Sequence, residues 1–431
     1  MKKKLLALVL CLVMVTVAVV ALVACSDGDY DYEITVWVGE GTKGFTEQQI
    51  KKFNETNQWG IKFKATVEVL SESVAAGNAI SKPQNAADIF CFAQDQLARL
   101  VQSDVLAPVS SGSQDEIIAN NIRESVDATR IGGIIRAFPM TYDNGYFMYY
   151  DKDIVKTDIT DLDSILADCK AANQNFSMRL AKDGGGWYAA SFFYGAGCKS
   201  EWTTDDSGKF TAYDDNFWDY QNGNGLIALQ GIQKVLDSGV HQDSAEIGDM
   251  SAGTPSAVVI SGIWSYNASQ KVKDNSGKTR NIGIAPLPSF KDAQGNSHQL
   301  KTYLGSKLMG GKRQSDGTKV AYLQKLALYL TSEDVQLARF KEVGWGPCNT
   351  NLQDNAEVIA SPALKVFADS IELGAIMSQG QYPTNWWAKV QLMVGNAKKD
   401  PETGVKTVDD LKTALDEYKG TLNSLKGSSA S

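Results

Sequence analysis

The side chains with most to offer a ligand in this sequence are aromatic, and they fall at the ends of elements. Phe92 closes an apolar run, Trp187 follows Gly184-Gly185-Gly186, Trp264 follows Ser261-Gly262-Ile263, and Trp386-Trp387 follow Pro383-Thr384-Asn385. Strand ends and glycine turns are where a rigid scaffold presents side chains to a partner. An indole supplies a flat apolar face at little entropy cost. The chemistry such a set supports is non-covalent, with rings on apolar faces and carboxylate, amide or ammonium groups on polar edges. Trp59, Trp202 and Trp218 lack such a setting and read as ordinary core.

Other chemistries find few residues to work with. The two histidines, His241 and His298, lie far apart, which argues against a histidine-built metal site or a Ser-His-Asp hydrolase. Cys91, Cys169, Cys198 and Cys348 are widely spaced, with no C-x-x-C or zinc pattern, so a disulfide scaffold is not indicated. The run Gly305-Ser306-Lys307-Leu308-Met309-Gly310-Gly311-Lys312 approaches a phosphate-binding loop but lacks consecutive Gly-Lys-Ser/Thr. Asp27, Asp29 and Asp31 start like a calcium loop, yet Tyr32 takes the glycine position and Val38 the glutamate position. No G-x-S-x-G elbow occurs, and no carboxylate pair is marked out for glycoside hydrolysis. The reading is therefore of a binding protein and not an enzyme, with no catalytic residue, cofactor or metal.

One residue is placed for covalent modification. Lys2, Lys3 and Lys4 precede a long apolar run ending in Leu22-Val23-Ala24-Cys25, the pattern of an export signal. The last four residues resemble a lipobox, which makes residues 1–24 a lipoprotein signal peptide and Cys25 the lipid acceptor. Ser26 to Tyr32 then read as part of a flexible tether over 25–32. A plain membrane anchor is the alternative, because Leu5 to Val23 is almost long enough to span a bilayer. Either way the rest of the chain works outside the cytoplasm. The formal net charge of −8 becomes three units more negative once the signal lysines are removed. With no basic run, the chain has no electrostatic footprint for nucleic acid.

The elements that must position the rings read as α/β. A strand at Ile34 to Val38 leads to a helix that Thr46 can cap, with Gln49 three residues on. Ile61 to Val69 alternates with period 2, and Asp88 to Phe92 is a third strand. Strand-helix-strand-helix-strand indicates a doubly wound domain whose crevice lies at the carboxyl ends of the strands. A second unit starts after Pro139 with the aromatic strand Tyr146 to Tyr150, followed by Ala257 to Ile260 and Ile282 to Pro288. The C-terminal part reads as helices at Val320 to Leu330, Asp334 to Phe340, Pro362 to Leu373, Trp386 to Ala397 and Val408 to Leu425.

Several segments together resemble the solute-binding lipoproteins of ABC sugar importers, and most closely their maltose/maltodextrin-binding branch. They are Ile34-Thr-Val-Trp-Val with Lys43-Gly44-Phe45, Ala87 to Asp95, Phe138-Pro139 through Asp153, Ser261 to Ser265, Gly283 to Pro288, and Ile376-Met377 with Trp386-Trp387-Ala388 and Val408-Asp409-Asp410. The resemblance runs from about Ile34 to Leu422. It implies two doubly wound α/β lobes joined by a three-crossing hinge, the type II architecture of periplasmic binding proteins. The lobes would be residues 33–142 with 300–347, and 146–291 with 351–425, leaving 426–431 as a disordered tail. Crossings are expected near Thr141 to Tyr146, Phe290 to Thr302 and Trp345 to Leu352.

The same resemblance implies ligand contacts. Lys43 matches the lysine of a charged pair after the first strand, with Thr42 replacing the acid. Phe92 and Asp95 match the ring and carboxylate after the third strand, and Gln96 stands where that branch has arginine. The crossover glutamate falls on Asp143 or Asn144, the second-lobe tyrosine on Trp187, and the stacking tryptophans on Trp264 and on Trp386 or Trp387. The implied function is capture of an oligosaccharide, of maltodextrin type, by a monomer lipid-anchored to the cell membrane, and its delivery to an ABC permease. A β-linked oligosaccharide is a second reading, and a cell-surface glycoside hydrolase is a rival from another class.

Overall fold

The computed structural model describes residues 29–204, 210–217, 223–251, 253, 255–378, 386–396, 413 and 416. The signal segment with Cys25, the start of the tether, Trp218, the side chain of Trp202, all but residues 413 and 416 of the helix expected over 408–425, and the tail at 426–431 lie outside the described residues. Among the described residues no helix is long and apolar enough to cross a membrane.

The strands that frame the molecule are, in chain order, β1 (Tyr32–Val38), β2 (Phe63–Val69), β3 (Ile89–Ala93), β4 (Phe138–Pro139), β5 (Tyr146–Asp151), β6 (Asn175–Ser177), β7 (His241–Gln242), β8 (Ser256–Gly262), β9 (Ile282–Ala285), β10 (Thr302–Leu304), β11 (Lys307–Gly311) and β12 (Ile376–Ser378). The helices used below are α1 (Lys43–Thr56), α2 (Glu72–Ser81), α3 (Gly185–Gly195), α4 (Gly317–Leu330), α5 (Glu333–Val343), α6 (Pro362–Glu372) and α7 (Trp386–Asn396). They form two α/β lobes, each built on a five-stranded sheet. The first sheet runs β2-β1-β3-β11-β4 and the second β7-β6-β8-β5-β9.

In the first sheet β1 is parallel to β2 and β3, so Val36 lies opposite both Val67 and Ile89. β11 runs antiparallel to β3 and β4, setting Met309 beside Cys91 and Phe138. β3 is apolar throughout because both of its faces are covered. Ile89 and Cys91 enter one core with Phe53 and Leu326, while Phe90 and Phe92 enter the other with Trp37 and Leu97. The second lobe repeats the device: Met148 and Val258 point into one core, Phe147, Tyr149 and Val259 into the other.

The first helix starts earlier than its sequence suggests. α1 begins at Lys43, and the Thr46 hydroxyl donates back to the Thr42 carbonyl at 2.9 Å instead of capping a new helix. Its apolar face, with Ile50 and Phe53, is buried as its periodicity indicates. α4 is closed at its N-terminus by Asp316, whose carboxylate accepts from the amides of Thr318 and Lys319.

Among the described residues, three stretches carry the chain between the lobes. The first, Thr141 to Gly145, joins β4 to β5 and lies between the other two. Its Asn144 amide donates to the Gly305 carbonyl at 2.9 Å, and its Tyr142 amide to the Gly346 carbonyl at 3.1 Å. The second passage is at Gly305-Ser306, C-terminal to the expected 290–302. The reason is that Phe290 and Leu300 pack in the second lobe and β10 pairs with β12 there, so only β11 returns to the first sheet. The third begins at Trp345-Gly346. Cys348 still bonds to the first lobe, and Val366 and Phe367 of α6 pack against Phe147 in the second.

Candidate functional site

The second lobe contributes a wall of rings. Trp264 sits on a 3-10 turn, Ile263–Ser265, directly after β8, and 40% of it is exposed. Gly262 makes its seat: a Cβ there would lie 2.2 Å from the indole, so only glycine lets the ring lie across the strand end. Trp187, in the first turn of α3, stacks on Trp264 at 6.2 Å and 26° and on Tyr303 at 5.7 Å and 10°. Tyr146 meets Trp187 edge-on at 4.6 Å. Helix α3 can approach α7 because Gly186 has no side chain; a Cβ would lie 2.2 Å from the Trp387 carbonyl oxygen. The approach brings Trp387 to Tyr303, ring edge to face, at 5.8 Å.

The first lobe contributes polar groups from the carboxyl ends of its parallel strands, where a crevice in such a sheet belongs. Lys43 follows β1, is exposed, and pairs loosely with Glu47 at 3.9 Å. Glu72 opens α2 after β2, and its carboxylate lies against Gly39 at the end of β1. Asp95 and Gln96 form the 3-10 turn after β3, with Gln96 Nε2 donating to Asp95 Oδ2 at 2.7 Å. The walls meet where Trp387 Nε1 donates to Asp95 Oδ2 at 2.9 Å. Burial raises the Asp95 carboxyl above the usual range, although the Trp387 and Gln96 donors oppose it. Burial likewise raises Glu72, with Lys307 the main opposing charge.

Among the described residues, four polar atoms around this cleft are buried without a hydrogen-bond partner: Glu72 Oε1, Gln96 Oε1, Trp187 Nε1 and Ser306 Oγ. Leaving a buried donor or acceptor unsatisfied costs about 1–3 kcal/mol each. Native structures hold few such groups, and each calls for an explanation. Two acceptors, one donor and one hydroxyl beside aromatic rings form a set that hydroxyl groups satisfy and hydrocarbon does not.

Of the residues singled out in the sequence, Asp95, Gln96, Trp187, Trp264 and Trp387 come together here, with Lys43 at the exposed start of α1. Phe92 does not join them: its ring is fully buried against Phe90 and Leu308, on a sheet face that helices cover. Trp386 is also core, 1% exposed and packed on Phe217 at 5.0 Å. Asp143 and Asn144 are hinge residues. The Asp143 carboxylate is engaged by Lys307 Nζ at 3.3 Å and by the Gly346 amide at 2.5 Å. Trp59, read from the sequence as core, is 41% exposed beside a surface groove. Glu72, Lys307 and Tyr303 were missed. Lys307 carried a signal, since a lone lysine in an apolar strand is almost never buried unless paired.

A model of the family of bacterial extracellular solute-binding proteins matches residues 48–366. No curated protein sequence matches the chain. Solved structures share the fold at low identity. One, solved with acarbose, has 24% identity and a TM-score of 0.74, covering 91% of this chain and 99% of its own. Maltodextrin-binding protein MalE1 from L. casei BL23 has 18% identity and a TM-score of 0.71, covering 90% and 98%. The Thermus thermophilus maltotriose-binding protein, bound with maltotriose, has 18% identity and a TM-score of 0.68, covering 89% and 99%. The match to the family model spans most of the sequence, and the chain belongs to the bacterial extracellular solute-binding proteins.

Proposed function

We propose that this protein captures an oligosaccharide of the maltodextrin type between its lobes and hands it to an ABC importer, while a lipid on Cys25 holds it at the membrane. The observation that carries the reading is the pairing of the Trp264–Trp187–Tyr303 stack with unsatisfied polar atoms on Glu72, Gln96, Trp187 and Ser306. A pyranose has apolar C–H faces for the rings and a belt of hydroxyls for the polar atoms. Binding at about micromolar affinity requires roughly −8 kcal/mol. Three rings at about 2 kcal/mol each, with two or three satisfied polar groups, supply that amount.

The mechanism is a population shift between open and closed lobes. In the open form water satisfies Glu72, Gln96, Ser306 and the Trp187 N–H. Closure strips that water, and a ligand whose hydroxyls replace it favours the closed form. Trp387 and Asp95 then latch the mouth. The permease would read surfaces of both lobes, which adopt one relative placement only when closed. The neighbours' ligands, acarbose and maltotriose, support an α-linked glucan as the first choice. A thermal-shift screen over α- and β-linked oligosaccharides tests this, because only bound ligands raise the melting temperature. Stabilisation by β-linked chains alone would redirect the reading to another sugar. Cleavage of maltooligosaccharide during incubation would favour a hydrolase.

A further inference from the structure

All three crossings of the hinge converge on one ammonium group. Lys307 begins β11 just after the second crossing, and its side chain is 4% exposed. Its Nζ lies 3.3 Å from Asp143 Oδ1 in the first crossing and 4.3 Å from the centre of the Trp345 ring in the third. Asp143 Oδ2 in turn accepts the Gly346 amide of the third crossing. The Lys307 main chain joins the first crossing directly, its amide donating to Thr141 Oγ1 at 3.2 Å and its carbonyl accepting from Met140 at 2.9 Å. Across the cleft, the same ammonium lies 5.6 Å from the Trp264 ring. Lys307 and Asp143 are on the first-lobe side of the bend, and Trp264 is on the second lobe. The contact therefore reaches from one lobe to the other.

We propose that Lys307 is the positioning residue that couples ring placement at Trp264 to closure of the hinge. The idea rests on the ligand-capture reading but not on which sugar is bound. A cation over an indole face is attracted to the ring, and the Asp143 carboxylate, 3.3 Å away, fixes the position of the Lys307 ammonium. The Trp264 ring, set between Lys307 and Trp187, is then held in one attitude toward the ligand. Glu72 stands within the electrostatic reach of Lys307.

Lys307→Met alone would strand a buried carboxylate and could fail to fold. The test therefore uses Asp143→Asn/Lys307→Met, which removes both charges, alongside Lys307→Arg, which keeps the cation. Isothermal titration with maltotriose should show affinity about 2- to 5-fold weaker in the double variant, with most of it restored in Lys307→Arg. Small-angle scattering at saturating sugar should show that the double variant contracts less than the wild type. A merely structural role would lower the melting temperature equally with and without sugar while leaving affinity and contraction unchanged, and that result overturns the proposal. Should the wild type bind no sugar on the panel, the capture reading falls separately. Scattering without sugar then decides on Lys307: expansion of the double variant supports the coupling, and an unchanged radius overturns it.

Discussion

Replacing Gly262 by alanine tests the ring wall at its foundation. The Gly262 backbone has φ −83° and ψ 175°, a conformation any residue adopts, so alanine introduces no backbone strain. Its carbonyl still accepts the Tyr149 hydroxyl at 2.8 Å. What changes is the seat of Trp264. The new Cβ would lie 2.2 Å from the indole, where ordinary contact begins at 3.4 Å, so the ring must retreat by more than 1 Å. Trp264 is 40% exposed and can swing outward, losing its stack on Trp187 at a cost of about 1 kcal/mol. For a chain of this length that lowers the melting temperature by no more than a few degrees. A ring that contacts ligand loses far more: about 2 kcal/mol of a hot-spot contact, roughly 30-fold in affinity. Isothermal titration with maltotriose beside a sugar-free melt measures both. In a Trp264→Ala background the same substitution should have no further effect on binding, because the two act through one ring. Affinity within about twofold of wild type, with a large fall in melting temperature, would show that the ring serves packing and would refute the reasoning.

Other outcomes follow from the same geometry. Trp264→Ala should weaken maltotriose binding by about 2–4 kcal/mol, with little loss of sugar-free stability, as titration and a melt will show. Asp95 and Glu72 are both raised by burial in the closed cleft, so the closed form holds protons more tightly than the open one. Closure is therefore favoured as pH falls from neutral toward about 4 and is lost as pH rises through the raised values. Sugar-free protein should contract on acidification, and Asp95→Asn/Glu72→Gln should abolish that response. The thiols of Cys91, Cys169, Cys198 and Cys348 are buried, and burial pushes those of Cys91, Cys169 and Cys348 up to about 12. They should stay unmodified by iodoacetamide until denaturant is added, and a reductant should leave the melt unchanged. Cys25→Ala should release the protein from membranes or leave its signal uncleaved, and mass spectrometry of the N-terminus checks this.

Much of the framework was legible because burial on both sides of a sheet leaves a plain mark. The apolar run of β3 and the alternation of β2 located the first lobe, and the aromatic run of β5 located the second. The crossings were harder, because the segment from Ser289 to Leu304 looks like a linker in one dimension. Pairing of β10 with β12, remote in sequence, is what assigns it to the second lobe. The cleft divided similarly. Trp264 and Trp387 stand at element ends and could be found there. Phe92 also stands at a strand end, but on the face that α2 and its neighbours cover, and side-chain alternation alone does not say which face is open. Glu72 gave no signal, since a glutamate at the start of a helix is usually just a favourable partner for the helix dipole. Its place beside Lys307 depends on where β11 runs.

That path of β11 has a consequence for how the molecule is made. The first sheet is completed by a strand whose partner in β3 was synthesised more than two hundred residues earlier, since Lys307 pairs with Ala93. Until β11 arrives, β3 has an uncovered apolar edge, an invitation to pair with another chain. Neither can the second lobe finish early, because β12 and α7 come later still. Local helices and β1-β2 form readily, but the ring closure that unites both lobes is a late, long-range event, slow by its loop entropy. A chain cut before residue 307 would retain most of the first lobe's residues and still be an aggregation hazard. The completed protein keeps no trace of that vulnerable interval.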